Sequence, residues 1–222
     1  MHGELRDENN MSNSSNADND DCAALRLVRV CRSAVRDGSV SLLLLGPLTN
    51  VALALAIDSS ALQRAVGRVV VMGGTLHCKG NTALNHAAEF NFACDPEAAH
   101  NVLHAFGSKI ELVPWETTLS APLPREWTHN KSDTVLGLVC TKYAKMEEEN
   151  ELVMCDLVAT AVLLEPRVAR KRKQMRATVV LSGEARGALL LDWYGKSTDG
   201  IWVVEEVDRE LMLQVCSQLK DK

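Results

Sequence analysis

The sequence is poor in aromatic residues, which make up 4% of its 222 residues, and it has no long hydrophobic run. A core with so few rings must consist mainly of Leu, Val and Ala, although the apolar fraction of 46% is ordinary for a globular protein. No apolar stretch reaches the roughly 18 residues that a membrane-spanning helix needs. The polar N-terminus also lacks the apolar segment of a secretory signal peptide. The sequence therefore predicts a globular protein with no membrane partner.

An excess of positive charge is also missing. The formal net charge of −5 argues against a nucleic-acid partner, because nucleic-acid-binding proteins present a basic face. The seven cysteines are scattered and odd in number, and none forms a CxxC pair, which indicates reduced thiols inside a cell rather than a disulfide framework or a zinc site. No GxGxxG follows a predicted strand, which argues against a dinucleotide-binding domain.

The chain divides into a polar N-terminal segment and a longer patterned region. Residues 1–21 are rich in Asn, Asp and Ser and have no periodicity, so we expect them to be disordered and residues 22–222 to form the folded domain. Hydropathy patterns predict strands at 40–46, 68–74, 109–113, 178–183, 188–193 and 201–207, and helices at 22–35, 47–57, 96–106, 134–149, 156–164 and 208–219. This alternation predicts an α/β fold with a mostly parallel open sheet flanked by helices.

Two runs of similar residues have simple interpretations. The continuous apolar run at 40–46, VSLLLLG, is typical of a strand that is buried on both faces of a sheet. The basic run at 170–173, RKRK, is typical of a solvated surface.

The stretch AAEFNFACDPEAAH, residues 87–100, reads as a strand that runs into a helix. Strand alternation would place Glu89 and Asn91 on one face and Phe90 and Phe92 on the other. A buried carboxylate beside an amide suits a polyhydroxylated ligand, because buried polar groups need hydrogen-bond partners. The alternative is a capped edge strand whose polar side faces water.

Three acidic features have a structural interpretation of their own. Asp95 before Pro96 fits the N-cap of the helix at 96–106, and Asp156 alone reads as the N-cap of the next predicted helix. The DNDD run at 18–21 groups carboxylates as hard cations prefer, but no predicted strand precedes it to hold them in place. Helix capping and solubility explain that run better than metal binding.

The order of short motifs resembles one enzyme family. GPLTNVALAL, VVVMGG, GN, AEFNFACDPEAA, VPWE and a helix headed by Cys-Asp follow one another as in the inosine–uridine-preferring nucleoside hydrolases, and EARGALLLDW is similar to a late stretch of that family. The resemblance covers about residues 22–210. It implies cleavage of the N-glycosidic bond of ribonucleosides into ribose and base, in cytoplasmic purine salvage, by an enzyme that is often a homo-oligomer.

The resemblance also implies a ligand set. One Ca²⁺ ion would bind the ribose hydroxyls and the attacking water, held by the carbonyl of Thr49 and the carboxylate of Asp156. The ribose would be bound by Asn81, Glu89 and Asn91, with Met72 against the sugar. Anionic neighbours suit this chemistry, because glycoside cleavage passes through an oxocarbenium-like transition state.

Two residues are candidates for work on the leaving base. Cys155 stands where many family members have a histidine that is proposed to protonate the purine, although a thiol is a weak hydrogen-bond donor and the plain alternative is a small core residue. His86 lies on the presumed active-site loop, where the alternative is a surface residue. The choice of base stays open at this stage.

One part of the family pattern is missing from this sequence. Family members begin with a strand and a D-x-D-x-G-x-D-D loop that supplies two calcium-binding aspartates, and no such segment is present. We therefore expect an incomplete hydrolase domain that lacks its first strand, has an exposed sheet edge and is weak or inactive alone. The alternative is a non-catalytic remnant that binds a nucleoside or another partner.

Overall fold

The structure, a computed structural model, describes residues 22–83, 86–124, 151–195 and 199–220. Its strands are β1 Val40–Leu44, β2 Val66–Met72, β3 Ile110–Val113, β4 Leu123–Pro124, β5 Glu151–Leu152, β6 Ala169–Met175, β7 Ala177–Val179, β8 Leu189–Leu191 and β9 Ile201–Val207. Its α-helices are α1 Ala23–Ser33, α2 Thr49–Ala65, α3 Phe90–Cys94, α4 Pro96–Phe106, α5 Trp115–Leu119, α6 Cys155–Leu164 and α7 Arg209–Lys220. Within these ranges, no helix is long and apolar enough to cross a membrane.

A five-stranded sheet forms the centre of the fold, with the strand order β1-β2-β3-β9-β6. The first four of these strands are parallel, and β6 pairs antiparallel with β9. Two small antiparallel pairs, β4 with β5 and β7 with β8, lie outside this sheet. The predicted α/β class with a mostly parallel sheet is confirmed.

The sheet separates two apolar clusters, and β2 alternates between them. Val69 and Val71 belong to the cluster that contains residues of α1, α2 and α4, whereas Val70 and Met72 belong to the cluster that contains residues of α6 and α7. A strand covered on both faces needs a continuous apolar run, which is why VVVM reads as one. The alternation along β2 therefore identifies which helices cover each face of the sheet.

The two edge strands differ from what the sequence predicted. In β1 only Leu42 is fully buried and Ser41 is exposed, so the prediction of burial on both faces is wrong. β1 lies at the edge of the described sheet, which leaves its side chains only partly covered. The basic run 170–173 is solvent-facing over most of its length, as predicted, but it lies within a strand, β6, that the sequence did not reveal.

The predicted boundaries of the helices agree more closely with the structure. The helix predicted at 47–57 continues to Ala65 as α2, with non-helical backbone at Asp58. The predictions near 22–35, 96–106, 156–164 and 208–219 correspond to α1, α4, α6 and α7. The helix predicted at 134–149 and the segment 1–21 lie outside the described residues.

Candidate active site

The candidate site lies where the carboxyl ends of β1, β2 and β3 meet the first turn of α6. Ligands bind at this edge in open parallel sheets, because the connecting loops converge there. The glycines after β2 let the neighbouring segment approach closely: a Cβ on Gly73 would lie 2.7 Å from the ring of Phe92 and 3.2 Å from Oε2 of Glu89. Gly74 has φ +70°, a conformation that favours glycine.

The segment that carries Glu89 is the start of a helix, so the prediction of a strand is wrong. Glu89 is the N-cap of the five-residue helix α3, and its carboxylate accepts from the backbone N–H groups of Asn91 at 2.9 Å and Phe92 at 3.3 Å. Phe90 is 49% exposed whereas Phe92 is buried, so these two rings do not share a face as predicted. A helix this short has too few residues to show a helical period in its sequence.

Glu89 is buried with its charge facing neutral dipoles. Its Oε2 also accepts from the N–H of Gly74 at 3.0 Å, which ties α3 to the end of β2. Burial raises the pKa of the Glu89 carboxyl above its ordinary value, the three N–H donors oppose that rise, and the negative charge of Asp156 adds to it. The carboxylate therefore has three hydrogen-bond donors but no cation among its partners in the part of the chain that the structure describes.

Asn91 joins α3 to the two neighbouring strand ends. Its Nδ2 donates to the carbonyl of Met72 at 3.1 Å and to that of Leu45 at 3.4 Å, and it lies 3.4 Å from the Met72 sulfur. Both Asn91 and Met72 are buried. The structure thus brings Met72, Glu89 and Asn91 together, and it gives the Asn91 amide a structural role that the sequence did not predict.

The first turn of α6 supplies a second carboxylate. Asp156 is the second residue of this helix and Met154 occupies the N-cap position without a side-chain cap, so the prediction of Asp156 as the N-cap is wrong. The Asp156 side chain is exposed, yet the surrounding protein removes enough water to raise the pKa of its carboxyl. Its effect on the pKa of Glu89 shows that the two carboxylates share one electrostatic environment.

Cys155 is half-buried between this helix and α5. Burial raises the pKa of its thiol, a hydrogen bond with the Thr118 hydroxyl opposes the rise, and the charges of Asp156 and Glu89 add to it. The group therefore stays a protonated thiol at neutral pH. Thr118 is fully buried, and its Oγ1 donates to the Trp115 carbonyl at 2.7 Å. This bond holds in place the hydroxyl that contacts Cys155.

The other predicted residues lie on the rim. The Thr49 hydroxyl donates to Oδ2 of Asp95 at 2.5 Å, and Asp95 caps α4 through the N–H of Ala98, as predicted. Asn81 accepts with Oδ1 from the N–H of Phe90 at 2.8 Å. The exposed His86 accepts with its backbone carbonyl from the N–H of Gly80 at 2.7 Å.

The late stretch EARGALLLDW packs against α3 and α4. Arg186 forms two hydrogen bonds of 2.6 Å with the carboxylate of Glu97 in the first turn of α4. Gly187 has φ +87°, and a Cβ there would lie 3.1 Å from Cα of Ala93 and 3.2 Å from the Phe92 carbonyl oxygen. Two of the motifs that carry the family resemblance, AEFNFACDPEAA and EARGALLLDW, are therefore in direct contact.

Sequence reasoning missed three residues of this region. Glu116 in α5 accepts from the N–H groups of Leu76 and His77 at 2.8 and 3.1 Å, which holds the loop after β2. Thr75 in that loop is fully buried, and its hydroxyl has no hydrogen-bond partner. The third is Thr118. Only the VPWE motif pointed to this part of the chain.

Few of the described side chains could hold a metal. Across residues 22–83, 86–124, 151–195 and 199–220, no group of three or more His, Cys, Asp or Glu side chains could hold a metal ion. The predicted Ca²⁺ ligands in these ranges are the Asp156 carboxylate and the Thr49 carbonyl, whereas Ca²⁺ takes six to eight oxygen ligands. The described residues therefore do not fit a complete calcium site.

Comparison with known proteins agrees with the motif order. The sequence model of the inosine-uridine preferring nucleoside hydrolases matches residues 1–214. The non-specific ribonucleoside hydrolase RihC of Klebsiella pneumoniae subsp. pneumoniae is 33% identical over 153 residues, which are 64% of this chain and 49% of that protein. Uridine nucleosidase 1 of Arabidopsis thaliana is 46% identical over 76 residues, 34% of this chain and 21% of that protein. The chain spans about half the length or less of these curated relatives.

Solved structures of the same class share the fold. An inosine-guanosine nucleoside hydrolase superposes with a TM-score of 0.78 and 31% identity, covering 89% of this chain and 67% of that one. An inosine-uridine preferring nucleoside hydrolase from Bacillus anthracis superposes with a TM-score of 0.76 and 25% identity, covering 90% and 66%. With the motif order, the fold and the match over residues 1–214 in agreement, the chain belongs to the inosine-uridine preferring nucleoside hydrolase family.

Proposed function

We propose that this chain contributes the sugar-binding side of an N-ribohydrolase, which splits a ribonucleoside into ribose and free base. The observation that supports this most directly is the group of Glu89, Asn91 and Asp156 at the carboxyl ends of the strands, in a chain of this family. In the proposed reaction the bond between C1′ and the base nitrogen breaks and the water oxygen bonds to C1′. One water proton stays on the new C1′ hydroxyl, and the other reaches the departing base through a protein group or solvent.

The two carboxylates would act by charge. The transition state resembles an oxocarbenium ion, and negative groups near C1′ stabilise it. Among the described residues Glu89 has no cationic partner, so its charge would be available to the sugar, and Asp156 is exposed nearby. We propose that Asn81, Asn91 and Met72 border the ribose, and that Cys155 and His86 lie towards the base.

We propose further that the chain alone is a weak enzyme. Both oxygens of Glu89 already accept backbone N–H groups, which makes this residue a poor general base. We assign no step to Ca²⁺, because the described residues do not fit a complete calcium site. The lack of a complete calcium site among the described residues also favours a second function, non-catalytic nucleoside binding. Either function would belong to nucleoside salvage in the cytoplasm.

The decisive experiment measures base release and nucleoside binding on one protein sample. Purified chain is incubated with inosine, guanosine or uridine, and free base is quantified by chromatography beside titrations of each nucleoside in a calorimeter. Base release above background that is abolished by Asp156→Asn supports the hydrolase. Binding without release that is weakened by Asn91→Ala supports the non-catalytic function, and absence of both contradicts the two proposals.

A calcium titration tests the ligand count separately. With one carboxylate and one carbonyl as predicted ligands, we expect no Ca²⁺ binding tighter than roughly millimolar, which is the weak end for protein calcium sites. Calorimetry with and without ribose measures this, and Asp156→Asn is the matched control. Micromolar binding would show that residues outside the described ranges complete the site, with the DNDD run at 18–21 as the first to mutate.

A further inference from the structure

An ion cluster around one buried carboxylate lies at the end of the sheet opposite the candidate site. Glu111 on β3 is 7% exposed, and each of its carboxylate oxygens accepts from an arginine: Arg68 on β2 at 2.9 Å and Arg172 on β6 at 2.8 Å. Arg172 also lies over the ring of Trp202 at 5.1 Å from its centroid. We call Arg68, Glu111 and Arg172 the basal cluster.

The basal cluster holds one end of α6. The Arg68 guanidinium donates to the carbonyls of Val162 and Leu163, each at 2.8 Å, in the last turn of that helix. Carbonyls at a helix C-terminus have no intrahelical partners, and a cation there also complements the helix dipole. Glu111 and Arg172 in turn fix the direction of the guanidinium, so the last turn of α6 is attached to three strands of the sheet.

Among the described residues, the other end of α6 has no ion cluster of this kind, although the Cys155 thiol there hydrogen-bonds with the Thr118 hydroxyl. Met154 at its N-cap makes no side-chain cap, and the first turn carries Cys155 and Asp156. The ten residues of α6 span about 15 Å, and the four steps of β2 from Arg68 to Met72 span about 13 Å. The helix therefore packs on the face of β2 that carries Val70 and Met72, with its last turn bonded to Arg68 and a length that matches the distance to Met72.

We infer that Arg68 is a positioning residue for the candidate site, because it fixes how far α6 reaches along β2 and thereby where Asp156 lies relative to Glu89. The cluster acts through a rigid helix and contacts none of the site residues. The part of this inference that concerns catalysis rests on the proposed function, whereas the effect of Arg68 on the first turn of α6 does not.

The thiol of Cys155 reports the position of that first turn without any substrate. Arg68→Ala is expected to increase the rate of Cys155 alkylation at one fixed pH by about tenfold or more, as a local opening of the turn would. Arg68→Lys keeps the charge and a donor at the helix end, so it should restore most of the protection. Mass spectrometry of the modified peptides follows Cys155 and Cys31 together, and Cys31 is buried in the other apolar cluster.

Arg167→Ala is the matched control. Arg167 lies just after α6, but its side chain bonds Glu165 and no carbonyl of the helix. The inference is overturned if Arg68→Ala leaves the rate at Cys155 unchanged, if it accelerates Cys155 and Cys31 equally as a global loss of stability would, or if Arg167→Ala has the same effect. Should Arg68→Ala fail to fold, Glu111→Gln takes its place with the same expected selectivity for Cys155.

Measurement of base release separates the two hypotheses. If the unmodified chain releases base, Arg68→Ala should lower that rate while nucleoside affinity changes less, since a displaced Asp156 affects the transition state more than binding, and Arg68→Lys should restore most of the rate. If the unmodified chain releases none, the proposed hydrolase function fails, and the alkylation result still decides whether Arg68 positions α6.

Discussion

Glu89 and Glu111 are the buried carboxylates of the described residues, and they lie at opposite ends of the same sheet. Glu111 meets two guanidinium groups, which compensate its charge. Glu89 meets three backbone N–H groups, which give it hydrogen bonds but no opposite charge. The protein thus uses one buried carboxylate to hold the scaffold together, whereas the other meets no cation among the described residues, which suits the proposed stabilisation of a developing positive charge.

The largest expected effect comes from removing the paired carboxylate. Glu111→Ala leaves Arg68 and Arg172 without their acceptor, and breaking a buried ion pair in this way should lower the free energy of unfolding by about 2–4 kcal/mol. Urea denaturation measures the loss. Lys171→Ala is the control. Lys171 lies on the same strand as Arg172, but its side chain is exposed and pairs with Glu205 and Glu206, so its removal should change stability little. Equal losses for the two variants would mean that Glu111 has no special structural role.

A substitution at the other end should cost less. Gly73→Ala forces a methyl group against the ring of Phe92 and towards Glu89, and overpacking of this kind costs about 1–3 kcal/mol. The variant should also weaken nucleoside binding, because α3 must move. Gly46→Ala is the control, since a Cβ there meets nothing within 4 Å. If both variants had wild-type stability in urea, the close approach at Gly73 would not be real.

The smallest effect is a difference in pH dependence. Because burial raises the pKa of Glu89 in the folded state, the native protein takes up a proton more readily than the unfolded chain does. The contribution of Glu89 is therefore most favourable below its unfolded pKa and is lost as the pH rises through the folded pKa. Wild-type unfolding free energies measured in urea from pH 4 to 7 should contain this decline, and Glu89→Gln should lack it.

Glu97 supplies the control of opposite sign. Its hydrogen bonds with Arg186 lower its pKa, so its contribution is present above the unfolded pKa and is lost as the pH falls through the folded pKa. Glu97→Gln should therefore remove a decline towards acid rather than towards neutral pH. If Glu89→Gln and Glu97→Gln changed the pH dependence of stability in the same direction, the contrast between the buried Glu89 and the arginine-paired Glu97 would be contradicted.

The sequence predicted the long elements well and the short or charged ones poorly. α1, α4 and the strand at 110–113 have clear hydropathy periods, and tertiary contacts agree with them. α3 has five residues, so Glu89 and Asn91 were assigned to a strand. β6 carries ARKRKQM, whose charged residues give no strand pattern because they point to solvent or to partners such as Glu111 and Glu205. Nothing local in the sequence reveals such partners.

Motif order predicted three residues that lie near one another in the structure, but it did not predict the contacts that they make. Motif order identified Glu89, Asn91 and Asp156, which the structure places at one edge of the sheet. It could not show that Asn91 holds the ends of β1 and β2, or that Glu111 pairs with two arginines 43 and 61 residues away. Those contacts depend on strand order, which a single sequence does not fix.

The unlike borders of the sheet have a consequence for how the protein can be extended. On one side, β6 presents four consecutive basic residues, a sequence feature that discourages backbone pairing with a further strand. On the other side, β1 reads VSLLL, with no charge and no proline, and within the described residues it pairs with β2 alone. The two edges of the sheet therefore differ in how readily they accept a further strand. An added strand, whatever its origin, would pair with β1 and not with β6.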